Sequence, residues 1–249
     1  MSESILITGI SSGVGHALAK LYLERGHEVY GISRRTPEDL ADYGGLHFRT
    51  ANLESLDDIE ANIRELLKGV ERLDCVVLNA GILGSLSDVQ DIPLEDLKRI
   101  MDINLWSNKI LIDTLLALEV KMPQVVAISS GAAVSAYRGW GGYSISKAGL
   151  NVLMKLYAGE VPNTHFVSMA PGLVDTRMQD YLCDEVDDER FDSLERLRTA
   201  RNTSDMPTPG ALAPIMVKAF SEARSLETGS YVDIRTMDAY QLPRDTTSN

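Results

Sequence analysis

Near the start of the chain, Thr8-Gly9-Ile10-Ser11-Ser12-Gly13-Val14-Gly15 places three glycines between a short β-branched run and a helix-length amphipathic segment. A turn of this kind commits the chain to a strand that leads directly into a helix. Gly9 permits the tight turn, Gly13 lets a ligand approach the backbone, and Gly15 lets the helix pack closely on the strand. Free N–H groups at the helix start attract phosphate. Structural turns also use glycine, so position matters: directly after a first strand, Gly9, Ser11, Ser12, Gly13, Val14 and Gly15 are expected to cradle a dinucleotide pyrophosphate.

The rest of the chain repeats the theme. Ile5–Thr8, Glu28–Ser33, Leu46–Ala51, Cys75–Leu78, Val125–Ser129, His165–Ala170 and Ser230–Ile234 read as strands, most of them continuous apolar runs suited to a sheet buried on both faces. Val14–Arg25, Leu56–Leu67, Leu94–Leu118, Tyr143–Ala158 and Pro209–Ala223 have helical spacing. Alternation of this kind winds a parallel sheet with helices on both faces. The expected fold is therefore α/β: one doubly wound Rossmann-type domain over residues 1–237 with a seven-stranded parallel sheet, its ligand crevice at the carboxyl ends of the strands. Residues 175–207 are acidic and lack strand character, and they are too long for an ordinary connection. They read either as a lid over a pocket or as a solvated surface excursion. Residues 238–249 read as a polar tail.

The 249 residues include 24 basic and 36 acidic side chains, a net charge of −12, which argues against nucleic acid or an anionic membrane surface as the partner. Two cysteines and four scattered histidines give neither a disulfide framework nor a metal-ligand spacing. No metal is expected. The beginning of the sequence has neither signal-peptide nor transmembrane character, so a cytoplasmic protein acting on a small molecule is expected.

At the end of the second strand, where a domain selective for NAD usually carries an acid, the chain has Arg34 and Arg35. Two guanidinium groups can clamp a 2′-phosphate, so NADPH is the expected cofactor. Later, Tyr143 and Lys147 stand four residues apart on a predicted helix and share one face. An ammonium beside a phenol stabilises the phenolate and draws its pKa toward the working range, and it can also bind ribose hydroxyls. Hydride transfer assisted by proton transfer is the chemistry this pairing suggests.

Taken with Ser130, thirteen residues ahead of Tyr143, these segments resemble the short-chain dehydrogenase/reductase family over nearly the whole chain. TGISSGVG resembles its TGxxxGxG, LNAG (Leu78–Gly81) its NNAG, the run from Ser129 to Lys147 its catalytic segment, and APGLVDT (Ala170–Thr176) its PGxxxT. The resemblance implies catalytic roles for Ser130, Tyr143 and Lys147, and a water-holding role in the proton relay for Asn104. It also implies cofactor contacts from Asn52, Leu53, Asn79, Ala80, Gly81, Pro171, Gly172, Val174 and Thr176, with Thr176 at the nicotinamide carboxamide. Leu78 and Asn52 depart from the family's asparagine and aspartate.

RGWGGYSISKAG, APGLVDTRMQD and TGSYVDIRT look further like sepiapterin reductases and the related benzil reductases. This implies NADPH-dependent reduction of a small ketone, either a vicinal dicarbonyl or a sepiapterin-like substrate. On the same grounds Asp233 either anchors the substrate or serves the fold, and Trp140 either walls the pocket or packs. The family's habit of associating through its helices implies a homodimer or homotetramer. Two other readings stand beside this one: a 3-oxoacyl-carrier-protein reductase, and a non-catalytic NADP-sensing regulator.

Overall fold

A computed structural model describes residues 2–241. In chain order the elements are β1 (Ser4–Thr8), α1 (Gly13–Glu24), β2 (Glu28–Ser33), β3 (Leu46–Thr50), α2 (Leu56–Leu66), β4 (Cys75–Leu78) and α3 (Leu94–Met101). A π-helical turn (Asp102–Trp106) leads on to α4 (Ser107–Ala117), β5 (Gln124–Ile128), α5 (Ala132–Ser135), α6 (Gly141–Glu160) and β6 (His165–Ala170). Then come α7 (Arg177–Asp180), a second π turn (Tyr181–Glu185), α8 (Ser193–Ala200), α9 (Pro209–Ala223) and β7 (Ser230–Asp233).

The seven strands form one sheet in the order β3-β2-β1-β4-β5-β6-β7, and every pairing is parallel. The central strands explain why their sequences do not alternate. All residues of β4 (CVVL) and β5 (QVVAI) are buried, because helices cover both faces. On one face α1 and α9 pack over Ile5, Ile7, Val77 and Val126. On the other, α2, α4 and α6 pack over Leu6, Val76, Leu78 and Val125. Burying such a Leu, Ile or Val contributes about 1.5–3 kcal/mol each, so alternate residues of a strand stabilise opposite layers.

The chain runs outward in one direction from β1 to β3 and in the other from β4 to β7, so the order reverses between β1 and β4. A crevice opens at the carboxyl ends of strands at such a reversal. There the β1–α1 turn faces the loop after β4. Asn79 donates from Nδ2 to the Thr8 carbonyl oxygen (2.9 Å), and the backbone N–H groups of Asn79 and Ala80 both donate to Thr8 Oγ1 (2.9 Å each).

The sequence periodicity predicts one helix over Leu94–Leu118, but the π turn divides it. One extra residue per turn leaves the apolar stripe nearly unbroken, so periodicity does not show it. The acidic stretch 175–207 is helical over α7, the following π turn and α8, and its Leu182, Phe191, Leu194 and Leu197 join Leu83, Ala132, Trp140 and Tyr143 in a third hydrophobic cluster. Of the predicted tail, residues 238–241 are tied down: the Asp238 and Ala239 N–H groups donate to the Glu222 carboxylate at 3.1 and 2.8 Å. Residues 242–249 of that tail lie outside the described residues.

Candidate active site

One cleft of about 540 Å³ lies over the carboxyl ends of the strands. Its floor is the β1–α1 turn. Gly9 has φ of +78° and Gly13 of +63°, in the left-handed region that favours glycine. A Cβ on Gly9 would stand 3.1 Å from both the Ala80 Cα and the Asn79 Nδ2. Gly15 is off the cleft wall; a side chain there would run into the Asn79 amide and the Gly9 carbonyl, so this glycine sets how closely α1 approaches the strands. Ser12 adopts extended backbone at the N-cap of α1, and its side chain caps nothing. The first N–H groups of α1 therefore keep no side-chain acceptor and no neighbouring acid, an arrangement that favours an anion.

Further along the cleft, Ser11, Ser12, Val14, Arg34, Arg35, Asn52, Leu53, Asn79, Ala80 and Gly81 form one wall. Arg34 and Arg35 are exposed, and among the described residues neither guanidinium pairs with a carboxylate. The Ser33 hydroxyl donates to the Arg35 carbonyl at 2.7 Å and fixes the turn that carries them. Glu54 lines the same cleft, and its carboxylate is paired with Arg99 Nε at 3.1 Å. An uncapped helix start, a glycine cradle that a Cβ would fill and two unpaired cations fit a dinucleotide phosphate, so the residues present suit the expected cofactor.

At the other end the cleft gathers Ser130, Trp140, Tyr143, Lys147, Pro171, Gly172, Val174 and Thr176. Tyr143 and Lys147 come from the first two turns of α6, and Ser130 from the loop after β5. Burial pushes the Tyr143 phenol above its ordinary range, and a hydrogen bond with the Ser130 hydroxyl pulls it partly back. The expectation that the ammonium beside it lowers this pKa meets a different geometry. Lys147 Nζ donates to the Ile128 carbonyl oxygen at 2.7 Å and stands 5.8 Å from the Tyr143 ring centroid. Burial with no carboxylate in compensation brings the Lys147 ammonium down to about 8.

Asn104 does not reach the cleft. It is fully buried in the first π turn, where Nδ2 donates to the Ile82 carbonyl (2.8 Å) and Ser146 Oγ (2.9 Å) and Oδ1 accepts from the Ile82 N–H (2.8 Å). Its side chain thus clamps the loop after β4 to α6, directly behind Gly81 and Lys147. Trp140 stands between the cleft and α8. It lines the cleft 6.0 Å from the Tyr143 ring, and its indole N–H donates to Ser193 Oγ (2.8 Å) at the start of α8.

Asp233 lies at the end of β7 and off the cleft wall. Its carboxylate already accepts from Arg235, through the backbone N–H (3.0 Å), Nε (2.9 Å) and Nη2 (2.6 Å). Burial pushes the Asp233 carboxyl up, but these bonds outweigh it and hold the group below the usual carboxylate range. The pair lies beneath Gly172, where an added Cβ would meet the Arg235 Cδ at 3.1 Å.

Several cleft residues escaped the sequence reading: Ile82, Leu173, Met178 and Gln179. The last three fall in or beside the APGLVDTRMQD stretch, which carried their signal only as part of a motif. The segment bearing them closes on itself, the Asp175 N–H donating to the Pro207 carbonyl at 2.9 Å. Arg201 ties it internally, contacting Asp184 (2.7 Å), Asp175 (3.8 Å) and Asp180. Among the described residues no group of acidic, histidine or cysteine side chains could hold a metal, and no helix is long and apolar enough to cross a membrane.

Comparison with known proteins agrees with this geometry. Residues 3–187 match the family described as short chain dehydrogenase. The benzil reductase ((S)-benzoin forming) of Saccharomyces cerevisiae is 32% identical, over 94% of this chain and 98% of that protein. Its counterpart in Bacillus subtilis is 30% identical over the same shares, 94% and 98%. The crystal structure of a short chain dehydrogenase/reductase from Saccharomyces cerevisiae superimposes with a TM-score of 0.86 at 25% identity, over 97% of this chain and all of that one.

Proposed function

From the premise that this chain belongs to the short chain dehydrogenase family, a family of oxidoreductases using nicotinamide cofactors, we propose that it is an NADPH-dependent reductase of a small vicinal diketone. The observation that carries the reading is the gathering of Ser130, Tyr143 and Lys147 in the cleft that also holds the glycine turn, Arg34 and Arg35. The benzil reductases among its relatives favour a diketone. A pterin has less support, because the carboxylate that would anchor it, Asp233, is already bonded to Arg235.

In this reading the β1–α1 turn, with Ser11, Ser12 and Val14, binds the pyrophosphate. Arg34 and Arg35 bind the 2′-phosphate, and Asn52, Leu53, Asn79, Ala80 and Gly81 line the adenosine side. Pro171, Gly172, Val174 and Thr176 face the nicotinamide. When bound, the cofactor supplies a hydride to the carbonyl carbon. Ser130 holds the carbonyl oxygen by hydrogen bonding, which stabilises charge as it develops there. Tyr143, kept protonated by burial, donates its proton to that oxygen. Lys147 binds the ribose hydroxyls and returns a proton toward Tyr143. Asn104 acts by position, holding the loop after β4 against α6 behind the lysine. Residues 175–207 form a lid, hinged where Asp175 meets Pro207. Exposed Leu94, Trp106, Ile145, Val152 and Leu156 on α3, the first π turn and α6 supply the face through which the protein forms a homodimer or homotetramer.

The test is a panel of carbonyl compounds with NADPH and NADH. Benzil is expected to drive NADPH oxidation with formation of the hydroxyketone, faster than sepiapterin or a 3-oxoacyl thioester. Absence of turnover with every diketone would overturn the reading.

A second expectation follows from Lys147. Its ammonium is disfavoured by burial and titrates near 8, below the ordinary lysine value of 10.5. A polyanionic cofactor favours the charged form, so above about pH 8 binding must take up a proton. NADPH affinity is therefore highest below that pH and weakens as the pH rises through it. In Lys147→Met the affinity should be lower throughout and lose this dependence, which titration calorimetry across the range would reveal. An unchanged pH dependence in the variant would assign it to another group.

A further inference from the structure

Four buried side-chain polar atoms have no partner among the described residues: Ser144 Oγ, His165 Nδ1, Ser168 Oγ and Gln179 Oε1. Of these residues, only Gln179 belongs to the cleft. It is 8% exposed, and a buried amide oxygen without a donor is costly for the fold to keep. Its backbone is firmly placed: Thr176 is the N-cap of α7, and its carbonyl accepts from the Gln179 N–H at 2.7 Å and the Asp180 N–H at 3.1 Å. Gln179 is thus carried on a fixed turn at a cleft whose lining also includes Leu173, Met178 and Trp140.

A ketone with one oxygen needs only Ser130 and Tyr143. A second oxygen on the adjacent carbon, held among apolar side chains, needs a polar partner of its own or loses its hydration uncompensated. A glutamine amide can serve such an oxygen in either form, donating from Nε2 to a carbonyl or accepting at Oε1 from a hydroxyl. Resting on the carbonyl reductase reading above, we propose that Gln179 is a specificity-determining residue that hydrogen-bonds the second oxygen of a vicinal diketone or α-hydroxyketone. A diketone's second oxygen accepts from Nε2, and the hydroxyl of an α-hydroxyketone donates to the orphaned Oε1, so a substrate lacking that oxygen leaves the amide without either bond and is discriminated against.

The test compares benzil with deoxybenzoin, which keeps both rings and replaces the second carbonyl with a methylene. Gln179→Met keeps the length of the side chain without the amide, and Gln179→Leu provides a second apolar variant should the first not fold. The expected result is a loss in kcat/KM of at least about tenfold for benzil and a change within about threefold for deoxybenzoin. The NADPH dissociation constant and the Tm should not fall below wild type, since an unsatisfied group has been removed. Equal losses on both ketones, or none on benzil, would overturn the assignment and leave the reductase reading intact. A wild-type protein that reduced neither ketone would overturn both.

Discussion

Replacing Tyr143 with Phe is expected to lower kcat for diketone reduction by about 10²–10⁴-fold, the range over which a positioned general acid acts. The ring fills the same space, so the cluster of Trp140, Leu182, Phe191 and Leu194 around it stays packed. The hydroxyl is what changes. It is buried, and burial outweighs the opposing influence of the Ser130 hydroxyl and holds it above the ordinary phenol range, so at neutral pH it carries the proton that an alkoxide requires. The neutral hydrogen bond lost with it is worth only about 0.5–1.5 kcal/mol, too little to unfold the domain. Single-turnover kinetics, with NADPH binding measured alongside, separate the chemistry from affinity. A variant keeping more than about half of the wild-type kcat at unchanged affinity would remove Tyr143 from the proton-donor role.

The second large effect concerns cofactor choice. With both Arg34 and Arg35 changed to Ala, the ratio of kcat/KM for NADPH to that for NADH is expected to fall at least about tenfold, almost entirely through NADPH. Arg34 and Arg35 are exposed residues lining the cleft, and no carboxylate among the described residues pairs with them. Because they are exposed, salt screens the attraction, and the wild-type preference should narrow as ionic strength rises. A ratio that survives the double substitution would place the 2′-phosphate contact elsewhere, and a salt-independent ratio would argue for a buried contact instead.

How far the sequence could be read depended on how local each signal was. β2, β4, β6 and α9 stand at the boundaries their residues predicted, because a fully apolar run or a helix opened by Thr208-Pro209 carries its own punctuation. The seven-stranded parallel order likewise follows from strands and helices alternating along one chain. The division between α3 and α4 was invisible, since a single π turn hardly disturbs the period. The helices of residues 175–207 were hidden for a different reason. Leu182, Phe191, Leu194 and Leu197 are spread over two short elements in an acidic stretch, and they make a cluster only with Trp140 and Tyr143, which come from elsewhere. Side-chain direction was the least legible. The spacing of Tyr143 and Lys147 puts them on one face of α6, but nothing in the spacing turns Nζ toward the Ile128 carbonyl or buries both groups. Asp233 falls where the motif puts it, and the arginine two residues later, also in plain sight in VDIR, occupies its carboxylate.

The chain has only two tryptophans, and neither lies in the sheet's two main hydrophobic layers. Trp140 bridges Tyr143 and the start of α8, whereas Trp106 is 44% exposed on the face proposed to join subunits. Intrinsic fluorescence from this protein therefore says little about the central sheet and a good deal about its two adjustable regions. Displacement of α8 from Trp140 would break the Ser193 hydrogen bond, expose the indole to water and shift its emission to the red while every strand remained paired. Solvent quenchers would reach Trp106 in a dissociated subunit and be kept from it in an assembled one. The domain thus carries one built-in optical probe for the proposed opening of its cleft and another for the proposed association, and unmodified protein suffices to use both.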